Sequence, residues 1–170
     1  LGQANFTSSA TATTQSGMNN PTALAMDSSN NRLFVSEEVN HRVTVFNVAS
    51  ITNGMNAANV LGQAGFTSAA QATTAAGLKS PGFGLAYDST QNRLFVSDTG
   101  NHRVMIFDLA SISDGENAVN VLGQSDFTTG AAATTQNGLS SPRGLAYDST
   151  NKRLFIEESA NHRVILHSAP

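Results

Sequence analysis

Short apolar runs alternate with polar clusters along the whole chain, and the same succession is written three times. The runs are three to five residues long and rich in β-branched and aromatic residues, as in Leu33-Phe34-Val35 and Val43-Thr44-Val45-Phe46. Asn, Asp, Ser, Thr and Gly fill the clusters between them. Runs this short, bounded by turn residues, predict strands. The first strand of each copy is predicted at Ala23 to Met26, Gly84 to Tyr87 and Gly144 to Tyr147. A turn opening on Asp27, Asp88 or Asp148 follows, and side chains of this kind bond their own backbone in hairpins. The second strand starts at Arg32, Arg93 and Arg153. A tight turn carrying Asn-His leads to the third, at 42–46, 103–107 and 163–166. In the first two copies a connection leads on to a fourth strand at 59–62 and 120–123.

The copies are in register. Asn-His-Arg stands at 40–42, 101–103 and 161–163, and Leu-Gly-Gln at 1–3, 61–63 and 122–124. The repeats run approximately 1–60, 61–121 and 122–170. A low-charge Ala/Thr segment precedes Pro21, Pro81 and Pro142, and its Thr pairs, Gly and closing Pro predict a mostly irregular loop. A lone sheet in water keeps one polar face. These strands are apolar on both faces, so each four-stranded meander is predicted to be sandwiched between neighbours, as in the blades of an all-β propeller. Propellers have typically four to eight blades. Three repeats are half of a six-bladed ring. The third repeat lacks a fourth-strand sequence, and Leu1-Gly2-Gln3 reads as the tail of a fourth strand with no blade before it. The expected partner is therefore a second copy that completes a six-bladed ring, or a polymer; the alternative is that the chain is part of a longer polypeptide.

Pro142-Arg143-Gly144-Leu145-Ala146-Tyr147-Asp148, together with Asn101-His102-Arg103-Val104 ending in Phe107, resembles the NHL repeat family. The matching positions are 40–43, 101–104 and 161–164. The resemblance implies a propeller, commonly six-bladed, and some members of the family are lyases that hold metal in the pore. Two departures stand out: Thr22-Ala23 where the other repeats have glycine, and Glu157 where they have Ser36 or Ser97.

Composition narrows the function. Charged residues make up 12% of the chain and the net charge is −3, a poor footprint for nucleic acid. There is no cysteine for a disulfide or a thiolate metal site. No apolar run reaches the roughly 18 residues of a membrane helix. Leu1 is not an initiator Met, so a processed or truncated start is expected. The surplus of Ala, Ser, Thr, Asn and Gln suggests an extracellular or cell-surface protein. Asn5-Phe6-Thr7 fits the glycosylation pattern.

The repeated His41, His102 and His162 invite a metal or binding hypothesis, with Asn40, Asn101 and Asn161 beside them. A residue found at one place in every blade is more simply a structural part of its turn, bonding backbone or the nearby Glu37, Asp98 or Glu158. Those carboxylates, with Glu38 and Glu157, are likewise read as hairpin or inter-blade partners, and Arg32, Arg93 and Arg153 as hairpin ion pairs to Asp27, Asp88 and Asp148. No Ser-His-Asp set, phosphate loop or nucleotide fingerprint is legible, and no catalytic residue, metal or cofactor is expected. Three classes remain: a non-enzymatic binding or scaffold module presenting polar loops to a glycan or peptide, a surface protein assembling through its ends, and a pore-site enzyme of the lyase or lactonase type.

Overall fold

The computed structural model describes residues 1–169. Eleven strands form three antiparallel sheets. The first contains β1 (Pro21–Asp27), β2 (Arg32–Glu37), β3 (Arg42–Asn47) and β4 (Asn59–Leu61). The second contains β5 (Pro81–Asp88), β6 (Arg93–Asp98), β7 (Arg103–Asp108) and β8 (Asn120–Leu122). The third contains β9 (Pro142–Asp148), β10 (Arg153–Glu158) and β11 (Arg163–Ser168). Each is a meander in which sequential strands pair. The innermost strands β1, β5 and β9 contact one another from blade to blade. The only helical element among the described residues is one 3-10 turn, Thr99–Asn101.

The strands start earlier than the apolar pattern suggests. Pro21, Pro81 and Pro142 are the first residues of β1, β5 and β9, a position where the missing amide costs no ladder bond. The third strand of the last blade runs on to Ser168. Leu1–Gln3 has no strand structure, and Pro170 lies outside the described residues.

Apolar residues on both faces of a strand are satisfied by blade-on-blade packing. Phe34, Val43 and Val45 of the first blade share one core with Leu85, Leu94, Val96 and Met105 of the second. Phe95, Val104 and Ile106 of the second share another with Leu154 and Ile156 of the third. The blades approach most closely at Gly84, where a Cβ would stand 1.8 Å from the Arg143 carbonyl oxygen.

The same positions are uncovered where no blade follows or precedes. Phe34 and Phe95 are 0% and 1% exposed, but Phe155 is 38% exposed. Val43 and Val104 are fully buried, but Val164 is 65% exposed. On the opposite side, Leu24 and Met26 of the first blade are exposed. The described residues therefore form an open arc with two apolar end faces.

Candidate functional site

Each repeated turn between the second and third strands carries a carboxylate, an Asn, a His and an Arg. The carboxylate and Arg are cross-strand neighbours: Glu37 opposite Arg42, Asp98 opposite Arg103, Glu158 opposite Arg163. In the first two blades both side chains are fully buried, with N–O separations of 3.0 and 2.7 Å. Buried charges need every remaining donor and acceptor satisfied. Arg103 meets this by donating to the carbonyls of Thr74 (3.0 Å), Gly77 (3.1 Å) and Phe127 (2.6 Å). Arg42 does the same with Thr14, Gly17 and Phe66. Asp98 accepts from the Lys79 amide and from Asn101 Nδ2. Burial pushes its carboxyl pKa up, against the pull of Arg103 and these hydrogen bonds.

The Asn residues tie down the Thr-rich loop. Asn101 Nδ2 donates to the Ala72 carbonyl at 2.9 Å, and its Oδ1 accepts from the Thr73 hydroxyl at 2.8 Å. Asn40 repeats this with Ala12 and Thr13, and Asn161 with Ala133 and Thr134. The loop and the turn thus lie on one face of the arc.

The histidines do something else. His41 Nδ1 accepts from the Ser80 amide at 3.0 Å, and His102 Nδ1 from the Ser141 amide at 3.0 Å. Both partners belong to the following blade, so the imidazole is a blade-to-blade link rather than a partner of its own turn's carboxylate. His41, His102 and His162 all sit in the left-handed backbone region, with φ of 51° to 52°. Desolvation by burial holds the His41 and His102 pKa values below the ordinary histidine value. A return link comes from Gln63 and Gln124, whose Nε2 groups donate to the His41 and His102 carbonyls. No group of three or more His, Cys, Asp or Glu side chains is arranged to hold a metal among the described residues.

The remaining predicted residues are placed as follows. Arg32 donates to Asp27 at 2.8 Å, but it also reaches the second blade through Leu109 O and Asn92 Oδ1. Glu38 accepts from Asn20 Nδ2, and Glu157 from the Gly144 amide. Asn5 is exposed, and its Oδ1 caps the Thr7 and Ser8 amides, leaving the sequon on the surface.

One unrepeated feature escapes the sequence reading. Phe83 is an extra residue in β5, held at φ 71° in a break of the β5–β6 register, and it is exposed. A bulky residue is rare in that region of φ. Arg143 lies over its ring at 4.6 Å, and the Phe83 amide faces the Thr22 hydroxyl at 3.4 Å. The signal was present: the Pro-to-Arg spacing is 11 residues in repeats one and three, but 12 in repeat two.

Blades stacked through their innermost strands and stapled by buried turn residues define a β-propeller arc. The repeat is the NHL repeat, whose family model matches residues 18–46 and 84–107, and the chain is an NHL-repeat β-propeller protein. A curated relative, the protein SUPPRESSOR OF QUENCHING 1, chloroplastic, of Arabidopsis thaliana, is 29% identical over 144 residues. That match spans 85% of this chain and 13% of the relative. Among solved structures, the β-propeller domain of Myceliophteria thermophila Cps50 (Swd1) aligns with TM-score 0.53 and 12% identity, over 88% of this chain and 41% of that one. A Bacteroides uniformis protein whose proposed activity is that of a 6-phosphogluconolactonase aligns with TM-score 0.55 and 13% identity, over 88% and 39%. At such identities these two likenesses concern the fold.

Proposed function

We propose that the chain is a non-enzymatic binding and scaffold module of an extracellular or cell-surface protein. In this role its rigid arc presents three polar loops to a glycan or a peptide, and its open ends take a second copy to complete a six-bladed ring. The observation that carries the binding role is the loop face itself. Three Thr-rich loops are pinned in parallel by Asn40, Asn101 and Asn161, while exposed side chains such as Thr11, Gln71, Thr74 and Gln136 remain free to meet a partner. Neutral hydroxyl and amide groups held on a fixed frame suit a neutral polar ligand, because little ordering entropy is lost on binding. The repeated titratable residues are meanwhile engaged in the blade joints, which leaves them poorly placed for proton transfer.

Glycan-array and peptide-library screening of the purified chain tests this. Binding is expected on the loop face, and Gln71→Lys with Thr74→Lys should abolish it without lowering the melting temperature. Absence of any bound class, or binding indifferent to those changes, would contradict it. One observation favours a pore-site enzyme of the lactonase type instead: the unrepeated Arg143 over Phe83 at the start of the innermost strands. Lactone hydrolysis that is lost in Arg143→Ala would establish that alternative.

A further inference from the structure

The two internal blade joints use the same bonds at equivalent residues, and the open end faces carry the two separated halves of that joint. At the first joint, His41 Nδ1 holds the Ser80 amide, Arg42 Nη1 holds the Phe66 carbonyl, and Gln63 Nε2 returns to the His41 carbonyl. At the second, His102, Arg103 and Gln124 do the same with Ser141, Phe127 and His102. The third blade ends on His162 and Arg163. Among the described residues, the His162 imidazole and Arg163 Nη1 make no hydrogen bond, and Arg163 is 31% exposed where its counterparts are buried. The first blade begins with the opposite set. Asn20 holds φ 52°, near the 46° and 48° of Ser80 and Ser141. Phe6 is 96% exposed, while Phe66 and Phe127 pack against a core. Gln3 Nε2 donates to Ala10, as Gln63 does to Ala70, but has no histidine carbonyl to reach.

We infer that a second copy of this chain docks head to tail on both end faces through this completed joint, closing a two-fold ring. The inference rests on the self-association proposed above and names its atoms. His162 Nδ1 accepts from the Asn20 amide of the copy. Arg163 Nη1 donates to its Phe6 carbonyl, and its Gln3 Nε2 donates to the His162 carbonyl. Leu61 pairs with Val43, and Leu122 with Val104, so Leu1 of the copy lies opposite Val164 on the open edge of β11. Gly2 already has φ 79°, beside 86° and 90° for Gly62 and Gly123. The apolar faces match in the same sense: Phe155, Val164 and Leu166 stand where Phe34, Val43 and Val45 cover the next blade, and Leu24, Met26 and Leu33 stand where a preceding blade is covered. Complementary faces of this kind close into a ring when the rotation permits, and otherwise make filaments. One link is missing. Ser36 and Ser97 hydroxyls donate to carbonyls of the following blade at 2.6 Å, but Glu157 at that place carries no donor.

Sedimentation velocity of the chain over a concentration series tests the joint, with circular dichroism to verify folding. A reversible dimer is expected. His162→Gly deletes the imidazole, fits the left-handed backbone and removes no bond within its own chain. It should weaken the dimer roughly tenfold to a hundredfold, since each ring holds two copies of the link. Glu157→Ser should tighten the dimer by restoring the donor, and Val164→Asp should dissociate it. A chain that stays monomeric at every concentration overturns both the joint and the self-association. A dimer indifferent to both His162→Gly and Glu157→Ser keeps the self-association and overturns the joint. An open filament weakened by His162→Gly supports the joint and overturns the closed ring.

Discussion

His102 illustrates what a repeated polar residue does here. It makes its inter-blade bond from a left-handed turn, where few side chains other than Asn, Asp and Gly are comfortable. His102→Ala removes the acceptor for the Ser141 amide and strains the turn, so it should lower stability by about 1–3 kcal/mol in urea denaturation. A variant that keeps full stability but loses a bound metal would show that the histidine is a ligand. The protonation state matters too. Burial depresses the folded pKa of His41, His102 and His167, so the unfolded chain takes up protons more readily than the folded one. Stability from these groups is present above the ordinary histidine pKa of about 6.5 and is lost as pH falls through that value towards the folded pKa. The midpoint of urea unfolding should drop between about pH 7 and pH 5, before the carboxylates titrate. In the double variant His41→Asn, His102→Asn, whose Asn tolerates the same backbone region, that drop should shrink.

At the scale of the element, the buried Arg is the bolt that fastens the loop to its blade. Arg103 ties Asp98, the carbonyls of Thr74 and Gly77, and the next blade's Phe127 into one network. Arg103→Met strands the Asp98 carboxylate and should destabilise by about 3–5 kcal/mol, the scale for breaking one partner out of a buried pair. Arg163→Met, at the partly exposed third copy, should cost much less. Equal losses at both positions would mean that burial is not what makes the pair matter. Much of this element was legible in the sequence. The strand order, the hairpins and the pairing of each carboxylate with its own turn follow from spacing alone, because strands fixed by hairpins put residues five apart opposite one another. What was not legible crosses between blades. The His41–Ser80 contact joins residues 39 apart, and nothing local in the sequence distinguishes it from a bond to the neighbouring carboxylate. Phe83 was missed for a different reason: a single inserted residue hides inside a near-perfect period, and its consequence is a backbone conformation rather than a pattern.

For the whole molecule, the account is that the most conspicuous repeated residues hold blades to blades and loops to turns, leaving the loop face and the unrepeated Phe83–Arg143 pair to distinguish this propeller from others. Native-state hydrogen exchange reads the joint directly. The Ser80 and Ser141 amides lie outside the regular ladder, so their protection should depend on the histidines. Both should exchange slowly in the wild-type chain. His41→Ala should release Ser80 while sparing Ser141, and His102→Ala should release Ser141 while sparing Ser80. Fast exchange at both amides in the wild-type protein, or unchanged protection in the two variants, would contradict the assignment of Asn-His-Arg as the joint between blades.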